Sequence, residues 1–128
     1  MTAVSSAITL ENLTSEHILA AAQAQTGLSD FGDTGFVEGL DIYLQDLRGG
    51  ARLNQAGIFG QYQDVLRMVG NRLMFQHDVN RHPEILEQRL APPIIIYGLP
   101  RTGSSKLQRM IAADPIAQRL EVWRILFP

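Results

Sequence analysis

The sequence predicts an α/β protein, in which a helical lead-in precedes one strand–loop–helix unit that starts a parallel sheet. Apolar residues recur at helical spacing over much of residues 13–90. Pro92 and Pro93 are then followed by the run Ile94-Ile95-Ile96-Tyr97, and such β-branched and aromatic residues favour a strand. Because this run is apolar without alternation, we expect a strand covered on both faces, as in parallel sheets flanked by helices.

These patterns divide the chain into three parts. Residues 1–12 lack periodicity and are predicted to be a flexible leader, residues 13–90 form the helical region, and residues 91–128 start a sheet domain that remains incomplete. The chain has 128 residues, of which 45% are hydrophobic and 19% charged. This composition is typical of a folded globular protein.

The first helix carries capping signals at both ends. Thr14 can cap a helix over about residues 15–26, and Gly27 stands where a left-handed residue would end it. Leu13 and Ile18 have the spacing of a hydrophobic staple. The apolar pattern predicts three further helices: from near Asp33 or Thr34 to Gly49-Gly50, from about Asn54 to Phe75, and from Pro83 through Leu90.

Charge and composition exclude several classes of function. The net charge is −2, which argues against a nucleic-acid-binding protein. Residues 1–98 carry 6 basic and 11 acidic residues, whereas residues 99–128 carry 5 basic and 2 acidic ones. No apolar run approaches the roughly 20 residues of a membrane span. The chain has no cysteine, so neither a disulfide nor a thiolate metal site is available, and we expect a cytoplasmic protein.

The segment Gly98-Leu99-Pro100-Arg101-Thr102-Gly103-Ser104-Ser105 follows the predicted strand and is the candidate for chemistry. Its glycines have the Walker A spacing, but Ser104 stands where that motif requires lysine. Helical spacing from Ser104 to Ala113 places a helix N-terminus at the loop, where unpaired N–H groups and the helix dipole attract anions. Arg101 and the two serine hydroxyls add donors. Together these features predict an oxyanion site.

The segment from Ile94 to Ser105 resembles the 5′-phosphosulfate-binding segment of the sulfotransferase family, in particular its bacterial branch. The stretches Asn71-Arg72-Leu73, Arg81-His82-Pro83-Glu84-Ile85 and Ala112-Ala113-Asp114-Pro115 are also similar to that family's N-terminal region and first helix. The resemblance covers roughly residues 13–128, and it identifies the chain as the N-terminal portion of such an enzyme.

The resemblance implies a P-loop-type α/β sandwich and 3′-phosphoadenosine 5′-phosphosulfate (PAPS) as co-substrate, without a metal. A sulfuryl group would pass from PAPS to a hydroxyl or amine of a small-molecule acceptor. By this resemblance the residues that bind the 5′-phosphosulfate are Arg101, Thr102, Gly103, Ser104 and Ser105. Arg101 would also be catalytic, because it would stabilise charge on the transferring group. The family's general base and 3′-phosphate-binding residues lie beyond the equivalent of Pro128, so we expect the chain alone to be inactive.

Two other functions remain open at this point. One is a kinase-like phosphotransferase that lacks the P-loop lysine, and the other is a non-catalytic helical interaction module with a vestigial anion loop. Lys106 either adds to the positive field of the loop or points to solvent. The three histidines share no ligand spacing, so no metal site is predicted. The oligomeric state is left open.

Overall fold

The structure is a computed structural model that describes residues 8–117, 121, 123 and 126. Residues 1–7, which make up most of the predicted leader, therefore lie outside the described residues. The described chain divides into two units, one up to Pro83 and the other from Glu84 onward. Its α-helices are α1 (Ser15–Thr26), α2 (Phe36–Gly49), α3 (Gln55–Arg81) and α4 (Ser104–Ile111), and its 3-10 helices are Leu10–Asn12 and Pro83–Glu87.

The local chemistry at its two ends determines the length of α1. The Thr14 hydroxyl accepts a hydrogen bond from the His17 N–H at 3.2 Å, which satisfies one of the unpaired donors of the first turn. Gly27 ends the helix in the left-handed region at φ 71°, and its N–H donates to the Gln23 carbonyl at 2.8 Å. The predicted bounds of the first helix are thereby confirmed.

The core of the first unit forms where α1 packs against α3. Ile18 and Ala22 on α1 are fully buried, and Leu13 just before α1 is buried with them. Removing such apolar side chains from water is the main favourable contribution to folding. The other buried apolar residues come from α2 and α3: Leu44, Leu47, Ile58, Tyr62, Val65, Val69 and Leu73. Both α2 and α3 contact α1, whereas the backbones of α2 and α3 hardly approach each other.

Helices α2 and α3 lie close to their predicted positions. Helix α2 begins at Phe36, two or three residues later than expected, and ends at Gly49. The Asn54 side chain caps α3 by accepting a hydrogen bond from the Gly57 N–H at 2.8 Å. Helix α3 continues six residues past the predicted end at Phe75, because the next helix-breaking residue is Pro83.

The loop between α1 and α2 is tied to α3 by side chains. Arg72 of α3 donates through Nε to the Phe31 carbonyl at 2.9 Å and through its terminal nitrogen to the Asp33 carbonyl. Asp30 accepts hydrogen bonds from the Gly32 N–H at 2.9 Å and from the Asn80 amide at 2.8 Å. These bonds favour the charged carboxylate, so they lower the pKa of Asp30.

The prediction of a parallel-sheet unit is wrong for the described part of the chain, because residues 8–117, 121, 123 and 126 contain no strand. The run from Ile94 to Tyr97 has no regular secondary structure, and Ile95 and Tyr97 are 82% and 99% exposed. β-propensity reflects packing against neighbours and yields a strand only where another segment pairs with its N–H and C=O groups. No described segment supplies that pairing. The α/β fold class is therefore corrected to a helical one for the described residues.

The predicted fourth helix is also shorter than expected. It begins at Pro83, as the proline signal indicated, but it is a 3-10 helix that ends at Glu87. Its apolar residue Leu86 is 71% exposed, so no buried surface stabilises a longer helix there.

Two glycines allow a test of the capping account with changes of opposite sign. Gly27→Ala should lower the free energy of unfolding by about 1 kcal/mol, because an L-residue is strained at positive φ. Gly39→Ala should raise it by about 0.5–1 kcal/mol, because Gly39 lies within α2 and a Cβ there would meet nothing within 4 Å. Urea unfolding followed by circular dichroism measures both. Equal effects of the two substitutions would contradict the account.

Candidate functional site

The candidate site is the loop before α4, where two residues adopt the left-handed backbone conformation. Arg101 has φ 68° and Gly103 has φ 90°. Glycine adopts this conformation freely, whereas an arginine with positive φ is uncommon. In the described part of the chain only one other non-glycine residue, Arg52 at φ 46°, has positive φ. The loop therefore holds its arginine in a conformation that an arginine rarely adopts, which is often a property of functional segments.

A hydrogen bond within the loop fixes its tip. The Thr102 hydroxyl donates to the Leu99 carbonyl at 2.6 Å. The same hydroxyl oxygen would lie 3.1 Å from a Cβ placed on Gly98, so the first glycine of the motif provides room for the threonine. The bond joins the two halves of the loop and leaves Thr102 itself exposed.

The N-terminus of α4 has backbone N–H groups that are not paired. Gly103 is its N-cap and contributes no side-chain hydrogen bond, in contrast to the caps of α1 and α3. The Gly103 carbonyl accepts hydrogen bonds from the N–H groups of Lys106 and Leu107, at 3.0 and 3.1 Å. Within the described chain, nothing accepts a hydrogen bond from the N–H groups of Ser104 or Ser105. Such unpaired donors at a helix N-terminus attract anions.

The charges near the loop have the same sign. The first turn of α4 has no acidic residue, Lys106 is its third residue and Arg109 lies in its last turn. Arg101 is exposed, and no carboxylate of the described residues pairs with it. The loop therefore combines a guanidinium that forms no ion pair with a described carboxylate, unpaired N–H groups and serine hydroxyls, all of which are donors to an anion.

The structure thus places all five predicted site residues in one short segment. Arg101 and Thr102 lie in the loop, Gly103 caps α4, and Ser104 and Ser105 form its first turn. Whether their N–H groups converge on one bound anion stays a prediction. The left-handed conformation of Arg101 could not be foreseen, because the sequence signal for positive φ is glycine or asparagine.

Clusters of metal-binding residues and membrane-spanning helices are absent from the described part of the chain. Its histidine, aspartate and glutamate residues form no group of three that could hold a metal ion. None of its helices is both long and apolar enough to cross a membrane.

Comparison with solved structures finds a sulfotransferase. The chain is similar to sulfotransferase STF1 from Mycobacterium tuberculosis H37Rv, with a TM-score of 0.83 and 29% sequence identity. The similarity covers 95% of this chain and 33% of that one, so this chain spans about a third of the length of the sulfotransferase. No family model matches the chain, and no curated protein matches it. The resemblance to sulfotransferases that the sequence predicts is confirmed.

The bond between Thr102 and Leu99 provides a test of the loop geometry. Thr102→Val removes the hydroxyl and should increase the backbone motion of residues 99–103, because about 0.5–1.5 kcal/mol of local stabilisation is lost. Thr102→Ser keeps the donor and serves as the matched control. Nitrogen-15 relaxation of the loop amides measures the difference. Equal order parameters in the two variants would show that the hydroxyl does not hold the loop.

Proposed function

We propose that the chain is the N-terminal portion of a PAPS-dependent sulfotransferase. Its loop from Gly98 to Ser105 would bind the 5′-phosphosulfate of the donor. The observation that carries this proposal is the loop geometry, with a left-handed Arg101 directly before an uncapped helix N-terminus. The similarity to a solved sulfotransferase over 95% of the chain supports the choice of donor.

The chemistry of sulfuryl transfer matches what the loop provides. The transferring group is anionic, and the catalyst must mainly align it and stabilise its charge. Arg101 offers a planar fork of donors that fits two oxygens of a sulfate or phosphate group. The N–H groups of Ser104 and Ser105 donate from the positive end of the α4 dipole. We therefore assign Arg101 the stabilisation of the transferring group, and the other loop residues the positioning of the 5′-phosphosulfate.

The absence of a lysine at position 104 favours a phosphosulfate over a nucleoside triphosphate. In a Walker A loop that lysine reaches the β- and γ-phosphates, and here a serine hydroxyl replaces the charge. The adjacent Lys106 is the third residue of α4 and is exposed. A phosphosulfate carries less negative charge than a triphosphate, so a loop with one arginine suits it better. The acceptor is proposed to be a small molecule with a hydroxyl or amine.

The proposal predicts weak but specific binding of PAPS by the purified chain. A helix N-terminus contributes about 0.3–2 kcal/mol, and each hydrogen bond to a charged group about 1.5–3 kcal/mol. Immobilising the ligand costs at least about 4 kcal/mol, so the dissociation constant should be near the millimolar range. Arg101→Ala should weaken binding by about tenfold or more, because it removes a charged donor. Isothermal titration calorimetry with PAPS measures both values.

Arg52 supplies the matched control for this measurement. It is also an arginine with positive φ, but it lies between α2 and α3, far along the chain from the loop. Arg52→Ala therefore removes the same charge, and alanine keeps a Cβ at positive φ in both variants, so the two substitutions differ mainly in their position along the chain. If both variants lost the same affinity for PAPS, Arg101 would contribute only its net charge and would not contact the ligand directly. A clear preference for ATP over PAPS would favour the kinase-like alternative.

A further inference from the structure

A second candidate site lies in the first unit, in the cleft between α2 and α3. Side chains of the two helices meet across it, since Tyr43 bonds to Gln61 and the Arg72 guanidinium lies over the Phe36 ring. The cleft is an open groove with a volume of about 720 Å³ and is lined mainly by apolar side chains. Sites for small molecules typically have volumes of about 300–1,000 Å³ and such a lining. Residues that form its apolar wall are Phe36, Leu40, Tyr43, Val65, Met68 and Val69.

One end of the cleft carries a positive charge without a negative partner. The guanidinium of Arg72 lies 4.3 Å from the centre of the Phe36 ring and lines the cleft. It donates hydrogen bonds to the backbone carbonyls of Phe31 and Asp33, which are neutral. No carboxylate among the described residues pairs with it. A half-buried charge beside an apolar wall is poorly solvated, so an anion that pairs with it is favoured.

The other end of the cleft offers a neutral donor. The Tyr43 hydroxyl donates to Gln61 Oε1 at 2.6 Å, and this bond fixes the orientation of the amide. The Gln61 NH₂ group then has no acceptor within the described chain. The acidic residue of the lining, Asp64, lies 3.5 Å from Arg67 and is compensated by it. Among the described lining residues, the Gln61 NH₂ group is thus a donor left for a ligand, and the Arg72 guanidinium is the charged group that forms no ion pair.

We propose that the cleft between α2 and α3 binds an amphiphilic anion. Its aromatic or alkyl body lies against the apolar wall, and its sulfonate, sulfate or carboxylate head pairs with Arg72. The contacts that support this site all come from the first unit, so it does not depend on the function of the loop before α4. The apolar body provides affinity through burial, and the head group provides selectivity through the charge of Arg72.

Two fluorescent probes test the charge selectivity. Anilinonaphthalene sulfonate has an aromatic body and an anionic head, whereas N-phenylnaphthylamine has nearly the same body without the charge. The full chain should bind the sulfonate at a single saturable site, at least about threefold more tightly than the neutral probe, because only the sulfonate pairs with Arg72. Arg72→Gln should abolish this preference. If Arg72→Gln does not fold, the difference in affinity between the two probes for the unchanged chain still shows whether the cleft selects an anion.

Two variants of α3 test the location. Met68 lines the cleft and is 62% exposed, so Met68→Glu should weaken sulfonate binding by about tenfold or more without unfolding the chain. Phe59 lies on the same helix, is 53% exposed and does not line the cleft. Phe59→Glu is the matched control and should leave binding within about twofold. Amide shifts on probe binding should be largest around Tyr43, Gln61 and Met68.

Three results would overturn the proposal. The first is equal affinity for the two probes, which would show that Arg72 does not select an anion. The second is unchanged sulfonate binding in Met68→Glu, or an equal loss in Phe59→Glu, which would place the probe elsewhere. The third is the absence of saturable binding, including the case in which a second copy of the chain covers the cleft.

Discussion

The packing of α1 against α3 is the interaction on which the first unit depends. Ile18 and Ala22 of this short helix are fully buried, and most of the remaining core lies on α3. Side chains of α2 and α3 complete this core, and the caps at Thr14 and Gly27 stabilise the helix that contributes its fully buried residues. The core of this unit and its second candidate site therefore share helices α2 and α3.

In the second unit the candidate site is defined by the conformation of the backbone and not by buried side chains. Helix α4 has no buried residue, and apolar side chains such as Met110 are largely exposed. What distinguishes the segment is the left-handed Arg101, the bond from Thr102 to Leu99 and the uncapped first turn of the helix. An N-terminus without a side-chain cap is normally less stable, which is the cost of leaving its N–H groups available to a ligand. This arrangement is consistent with an oxyanion site.

Much of the helical fold could be predicted, because its signals are local. Thr14, Gly27 and Asn54 act on residues within one helical turn, so their effect on helix ends can be read from the sequence. The error at Ile94 to Tyr97 has the opposite cause, since a strand needs a partner that a local pattern cannot supply. The five candidate site residues come from one contiguous motif and its resemblance to the sulfotransferase family, and their role stays a prediction. The hydrogen bonds of Arg72 could not be predicted from the sequence, because its partners Phe31 and Asp33 lie 41 and 39 positions away along the chain.

The central claim is that the loop before α4 holds an anionic sulfuryl donor, and amide chemical shifts test it most directly. Nitrogen-15-labelled chain would be titrated with PAPS up to saturation, with inorganic sulfate as a second ligand. The account predicts saturable shifts that are largest at the amides of Thr102, Gly103, Ser104 and Ser105, with sulfate moving a subset of the same signals. Saturation that leaves these four amides unmoved, or shifts centred on another segment, would contradict it.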